Sequence, residues 1–208
     1  IRSKVSKDAR PFVHFGATSY DIVDTASALR YKEATQKLLI PELKKLQRTW
    51  IKIALRERET VQVGRTHGQF ASPITFGFFM AGYVNRLGDR IGALEWCSEN
   101  LRGKFSGAVG AYNASSLIVK DPLKLEQDIM KDLGLKASFH STQIVEPESL
   151  EDLLHCIVSS FAVLANFADD MRQLQRSEIS EVAEAFAGKQ VGSSTMPHKR
   201  NPINFENV

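Results

Sequence analysis

SPITFGFFMAGYVNRLGDRIGALEWCSENL, residues 72–101, sets Phe76, Met80, Tyr83, Leu87, Ile91 and Leu94 at steps of three and four. That spacing is one apolar face of an α-helix, not the alternation of a strand. The same period recurs on both sides of it. Between 21 and 59, Leu39, Leu43, Leu46, Trp50 and Ile53 make a second stripe. Pro41 should kink that helix or begin a new one. Between 149 and 186, Leu150, Leu154, Ile157, Phe161, Leu164, Met171 and Leu174 make a third. A short helix is predicted after Pro122, stopping near Gly134, and extended structure only at 60–63, leading into Gly64. The fold class is therefore all-α, long helices packed as a bundle.

These helices carry apolar residues off the main stripes as well, with Phe78 and Phe79 beside Phe76, and Val163 and Phe167 beside Leu164. Such girth suits either a central helix in a monomer or a face buried against other subunits. The second is the expectation here, a homo-oligomer.

Composition bounds the rest. The chain has 208 residues, 43% apolar and 25% charged, enough for one large domain with a substantial core and unlike disordered or disulfide-framework sequences. With 27 basic against 24 acidic residues the formal charge is only +3, which argues against a general polyanion or nucleic-acid binder. Cys97 and Cys156 stand in neither a CxxC pair nor a metal spacing, which points to a reduced, cytoplasmic setting. No apolar run approaches the roughly 18 residues of a membrane span, and no signal-peptide core opens the chain, so no membrane partner is expected. The chain starts at Ile1 rather than Met and closes on Asn207-Val208 just after a dense polar string. That is the expectation for the middle of a longer protein.

Three polar clusters interrupt the helices. The first, His14-Phe15-Gly16-Ala17-Thr18-Ser19-Tyr20-Asp21, precedes a long helix. Its Thr18, Ser19 and Asp21 are able N-caps, and the same groups at a helix N-terminus can receive an anion. The second, GRTHGQFASP over 64–73, flanks Thr66 and His67 with glycines that admit unusual backbone angles and close ligand approach. His67 is suited to proton exchange near neutral pH, though a single His is as well suited to a structural role. The third, GSSTMPHKRNP over 192–202, joins hydroxyls to Lys199 and Arg200, with Lys189 just upstream. A mobile cationic loop of this kind, over 188–208, could close on a small anion and exclude water, where a plain linker would not combine these residues. No zinc spacing, nucleotide fingerprint or GxSxG elbow is present, so neither metal nor cofactor is expected.

Taken in order, these clusters resemble the three separated motifs of the fumarase/aspartase superfamily, GSSTMPHKRNP being similar to its signature loop. GATSYD resembles the purine-pathway and cycloisomerase branches. GRTHGQ keeps a His that the cycloisomerase branch typically lacks, and MPHKRNPI with Phe205-Glu206-Asn207 is similar to bacterial purine-pathway members. Ser141-Thr142-Gln143 matches a Thr-Gln element of that branch. The resemblance implies a central helical-bundle domain over 1–208 and elimination of fumarate from adenylosuccinate and the related carboxamide ribotide SAICAR, these small molecules being the partners. It assigns Ser193 as the base that removes the succinyl Cβ proton and His67 as the acid for the leaving nitrogen. Thr18, Ser19, Thr66, Gln143, Ser194, Lys199, Arg200, Asn201 and Asn207 would contact substrate, and Glu206 would support the His. It further implies a homotetramer with sites shared between subunits. The family's second histidine, in a His-Asp-Val context, has no counterpart in this sequence. Other readings are a superfamily lyase with a different amine, a cycloisomerase, or a non-catalytic helical oligomer on the same scaffold.

Overall fold

The face that begins at Phe76 is a helix to Glu99, α3, with Met80, Tyr83, Leu87, Ile91 and Leu94 all buried. In chain order the elements are α1 (Ser19–Ala34), α2 (Ile40–Arg56), β1 (Val61–Thr66), β2 (Gln69–Thr75), α3, β3 (Arg102–Gly103), α4 (Pro122–Asp132), β4 (Lys136–Ala137), α5 (Glu148–Leu174) and α6 (Ile203–Glu206). The chain is predominantly helical with few strands. This computed structural model describes residues 1–185, 193–196 and 198–208.

The stretch between 21 and 59 is two helices. α1 gives way to a π-type turn at Thr35–Leu39, in which the Ile40 N–H reaches the Thr35 carbonyl, before α2 starts. Pro41 is the second residue of α2. It lacks an N–H, and its ring would crowd the carbonyl four residues back. A widened turn just before it relieves that conflict.

The polar stretch after Gly64 is not a loop. β1 and β2 form an antiparallel hairpin pairing Val61 with Thr75 and Thr66 with Gln69, with a bulge between Val63 and Arg65. A Cβ at Gly64 would lie 2.7 Å from the Ser72 carbonyl oxygen, so only glycine fits the bulge. His67 and Gly68, at φ 55° and 72°, form the two-residue turn, both central residues left-handed as a tight hairpin turn requires. Extended structure therefore runs well past 60–63, and α3 starts at Phe76 rather than near 72.

α5 likewise departs from expectation. It stops at Leu174 instead of near 186, the last position lying outside the described residues. Its buried residues include Leu153, Ser160, Val163, Ala168, Met171 and Leu174, whereas Leu154 and Phe161 of the predicted stripe are 41% and 52% exposed. By length and composition alone α5 is apolar enough to cross a membrane, so the expectation that no segment approaches that limit does not hold.

The described residues form two compact units, Ile1–Glu42 with Gly92–Cys156, and Leu43–Ile91 with Ile157–Val208. In the first, α4 is closed at both ends. Asp121 accepts from the Lys124 N–H at the start, and at the finish Gly134, at φ 70°, lets the Leu135 N–H reach the Met130 carbonyl. Leu94, Leu101, Met130 and Leu153 fill its core beside buried Asp21, Lys104 and Glu126. In the second, rings meet from four helices. Trp50 lies 4.4 Å from Phe167 and 6.1 Å from Tyr83, centroid to centroid, and Phe205 lies 6.1 Å from Phe167. The Tyr83 hydroxyl donates to Asp170, while Arg86 stacks 5.0 Å over the Tyr83 ring and donates to Asn166.

Candidate active site

In the first unit, Thr18 is the N-cap of α1 and Ser19 its exposed first residue. The Asp21 carboxylate turns back to accept the Thr18 N–H at 2.8 Å, so Asp21 caps the helix. It does more than cap. Asp21 is buried against Lys104, whose ammonium lies 2.5 Å from Oδ1 and also donates to the Gly107 carbonyl at 2.9 Å; neither side chain of the ion pair has any exposure. The Ser106 and Gly107 N–H groups donate to the same carboxylate at 3.2–3.3 Å. Ser106 in turn shares a 2.7 Å hydroxyl bond with Ser141, and the Asp24 carboxylate accepts the Val145 N–H at 2.9 Å. The exposed Gln143 thus rides on a loop tied, on both sides of it, to the first turns of α1. Thr18, Ser19 and Gln143 belong to one neighbourhood. Lys104 was invisible in the sequence, because a lone lysine between Gly103 and Phe105 looks like any solvated one.

In the second unit, Thr66 and His67 stand exposed at the hairpin turn. The left-handed backbone at His67 is uncommon for a non-glycine residue, and such positions gather at functional sites. Arg65 does not meet solvent as a free cation. It pairs with Glu181 at 2.5 Å, and Gln62 donates to the other Glu181 oxygen at 3.1 Å. The Arg65 guanidinium holds the Glu181 carboxyl below its ordinary range, against an opposing push from burial. Glu181 therefore pins the hairpin that presents His67 to the segment leading toward the third cluster.

Of that cluster, 188–192 and 197, including Lys189 and Gly192, lie outside the described residues. Ser193 is half-buried, and its Oγ accepts the N–H groups of Thr195 at 3.4 Å and Met196 at 3.2 Å. N–H donors on an oxygen favour its anionic form. Ser194 is exposed. Lys199, Arg200, Asn201 and Glu206 line one hollow of about 660 Å³ together with Arg172 and Arg176. Asn207 follows α6 and is exposed. The Glu184 carboxylate holds α6, whose Glu206 lines this hollow, by accepting from the Asn204 side chain at 2.6 Å and the Phe205 N–H at 2.9 Å. A larger hollow of about 740 Å³ is walled by Trp50, Ile53, Met80, Phe167 and Phe205 and holds none of the expected site residues. Among the described residues, no hydrogen bond links His67 to Ser193 or Glu206, and no His, Cys, Asp and Glu cluster could hold a metal.

Cations, amides and hydroxyls around one hollow suit a small polycarboxylate. A family model described as lyase matches residues 3–208, almost the whole chain. The chain belongs to the lyase family. It is 42% identical over 198 residues to the adenylosuccinate lyase of Archaeoglobus fulgidus, covering 95% of this chain and 44% of that protein. To the adenylosuccinate lyase of Pyrococcus abyssi it is 41% identical, with 99% and 45% covered, and to that of Aquifex aeolicus 38% identical, with 100% and 46% covered. Among solved structures it resembles the 3-carboxy-cis,cis-muconate lactonizing enzyme of Pseudomonas putida, with a TM-score of 0.82 and 31% identity over 96% of this chain and 44% of that one. The chain spans less than half the length of these lyase-family relatives.

Proposed function

We propose that the whole protein is a carbon–nitrogen lyase of purine biosynthesis, an adenylosuccinate lyase. It would eliminate fumarate from adenylosuccinate to give AMP and from SAICAR to give AICAR, and this chain would be its central helical domain. The observation that carries the reading is the polar hollow. Lys199, Arg200 and Asn201 share it on the segment that also carries Ser193 and Ser194, in a chain 38–42% identical to adenylosuccinate lyases.

The chemistry follows from the residue types. A proton next to a carboxylate is weakly acidic, so removing it builds negative charge on that carboxylate, and positioned cations and amides stabilise this charge. Lys199, Arg200 and Asn201 take that role, with Thr18, Ser19, Thr66, Gln143, Ser194 and Asn207 as further substrate contacts. Ser193 is the base. A hydroxyl needs donors to act as one, and the two N–H groups on its Oγ are of the right kind. His67 is the acid, delivering a proton to the departing nitrogen, with Glu206 supporting it. The exposed hairpin turn suits a residue meant to act on a site completed by neighbouring copies, in a cytoplasmic homotetramer. No step calls for a cofactor.

The test is the full-length protein with adenylosuccinate, followed by ultraviolet absorbance. Ser193→Ala and His67→Ala should each lower turnover about 10²–10⁴-fold. Wild-type rates in either would remove its role. The likeness to a muconate lactonizing enzyme favours a cycloisomerase as second reading. Turnover of a carboxymuconate with none of adenylosuccinate would establish it.

A further inference from the structure

Cys97 and Cys156 are 59 residues apart in sequence, yet their sulfur atoms lie 3.3 Å apart, one near the end of α3 and the other in the first half of α5. Neither is joined in a disulfide; Cys97 is 5% exposed and Cys156 half-buried. Sulfurs on two different helices at this distance need to close by only about 1.3 Å to reach bonding length, well within side-chain rotation. Nothing in the elimination chemistry uses them.

We propose that Cys97 and Cys156 form an oxidation site, a thiol pair that hydroperoxides convert to an intramolecular disulfide. The more exposed Cys156 meets the oxidant. Its thiol gives up a proton, the thiolate sulfur attacks one peroxide oxygen, the O–O bond breaks, and the departing hydroxide takes up that proton, leaving a sulfenic acid and the first water. The Cys97 sulfur then attacks Cys156 Sγ, the S–S bond forms, the S–O bond breaks, and hydroxide leaves with the Cys97 proton as the second water. Two thiols and one hydrogen peroxide thus give one disulfide and two waters.

The environment sets the order of events. Burial, then the Cys156 thiol and the Asp152 charge, push the Cys97 thiol up to about 12, so it stays protonated and slow toward oxidants by itself. Once Cys156 is a sulfenic acid, proximity replaces acidity as the driving factor for Cys97. A hollow of about 510 Å³ lined by Trp96, Cys97, Arg102, His140 and Asp152 opens on the Cys97 side of the pair, while the oxidant meets Cys156 at its own partly exposed surface. The bond would tie α3 to α5 across the intervening chain, which includes the Gln143 loop.

The experiment treats the intact folded protein with hydrogen peroxide, alkylates the remaining thiols, and maps peptides by mass spectrometry with and without dithiothreitol. The expected product is a Cys97–Cys156 linked peptide pair within one chain, at least tenfold more abundant than Cys156 sulfinic acid, and reversed by dithiothreitol. Cys97→Ser should invert that ratio, with a sulfenic-acid probe labelling Cys156. Wild-type protein that accumulates oxidised Cys156 while Cys97 remains alkylatable, or that links only between chains, overturns the proposal. Both of those readouts come from wild-type protein, so a variant that fails to fold leaves the test intact.

Discussion

The two units differ in what their interiors hold. The first encloses Lys104, Asp21 and Glu126 among its apolar residues, while the second encloses Trp50 and Tyr83 against the half-buried Phe167. The difference traces to what each must hold. Residues 102–118 and 135–147 of the first unit are mostly irregular, so their N–H groups have no ladder to satisfy them. Carboxylates do it instead. Asp21 takes the N–H groups of Thr18, Ser106 and Gly107, Glu126 takes that of Phe105 at 2.7 Å, and Asp24 takes that of Val145. The Tyr112 hydroxyl donates to the other Glu126 oxygen at 2.6 Å, and its ionisation is pushed up by burial and by that carboxylate. In the second unit the long helices and the hairpin satisfy most of their own backbones, with Glu184 taking the N–H groups of Asn204 and Phe205 in the short α6, and rings meet between the helices. A buried charge here organises loops; a buried ring joins helices.

The sharpest way to break this contrast is Lys104→Met. It strands Asp21 as an unpaired buried charge and should cost about 3–5 kcal/mol by denaturant unfolding. Pairing it with Asp21→Leu separates two explanations. If Asp21 mattered only as the partner of Lys104, the double variant would recover most stability, as apolar substitutes for buried ion pairs often do. We expect it to stay destabilised, because three backbone N–H groups lose their acceptor as well.

The ring-lined interior should answer differently. Trp50→Leu should cost about 2–4 kcal/mol through the cavity it leaves, and a compensating enlargement at Phe167 should restore part of it. A smaller effect is expected at Glu181→Gln. The Arg65 pair lowers the Glu181 pKa, so its stabilisation is present above the ordinary value of 4.5 and is lost as pH falls through the depressed one. Solvent screens this pair, so the loss at neutral pH should be about 1 kcal/mol or less. The diagnostic is the pH profile, since the variant should lose less stability on acidification than the wild type. His67→Gly should be the smallest and of opposite sign. Removing the left-handed strain should raise stability by about 0.5–1 kcal/mol while turnover of the full-length protein falls, a combination that a purely structural turn residue would not give.

The sequence displayed most helices and the three polar clusters. Phe76 to Leu94 is a long periodic run, and Pro122 and Gly134 bracket α4, because local spacing and capping depend on residues within a turn of each other. It misplaced the hairpin, since Gly64 to Pro73 carries few β-branched residues and its pairing is between residues up to fourteen apart, as in Val61 with Thr75. It overextended α5, where Gln175, Glu181 and Glu184 leave the helix for partners elsewhere in the second unit, Glu181 with Arg65 and Glu184 with Phe205.

Period, capping residues and motif chemistry are short-range properties, and they specified most of the helices and picked out His67 and the cationic Lys199 cluster, while the resemblance to the superfamily is what assigned Ser193 its role. Only the tertiary structure decided that Asp21 answers to Lys104, that the Gln143 loop is moored to α1, that Glu181 grips the His67 hairpin and that two distant cysteines touch. Each of these depends on burial and direction at a distance of dozens of residues, where charge pairs and thiols gain their partners only once the chain has closed around them.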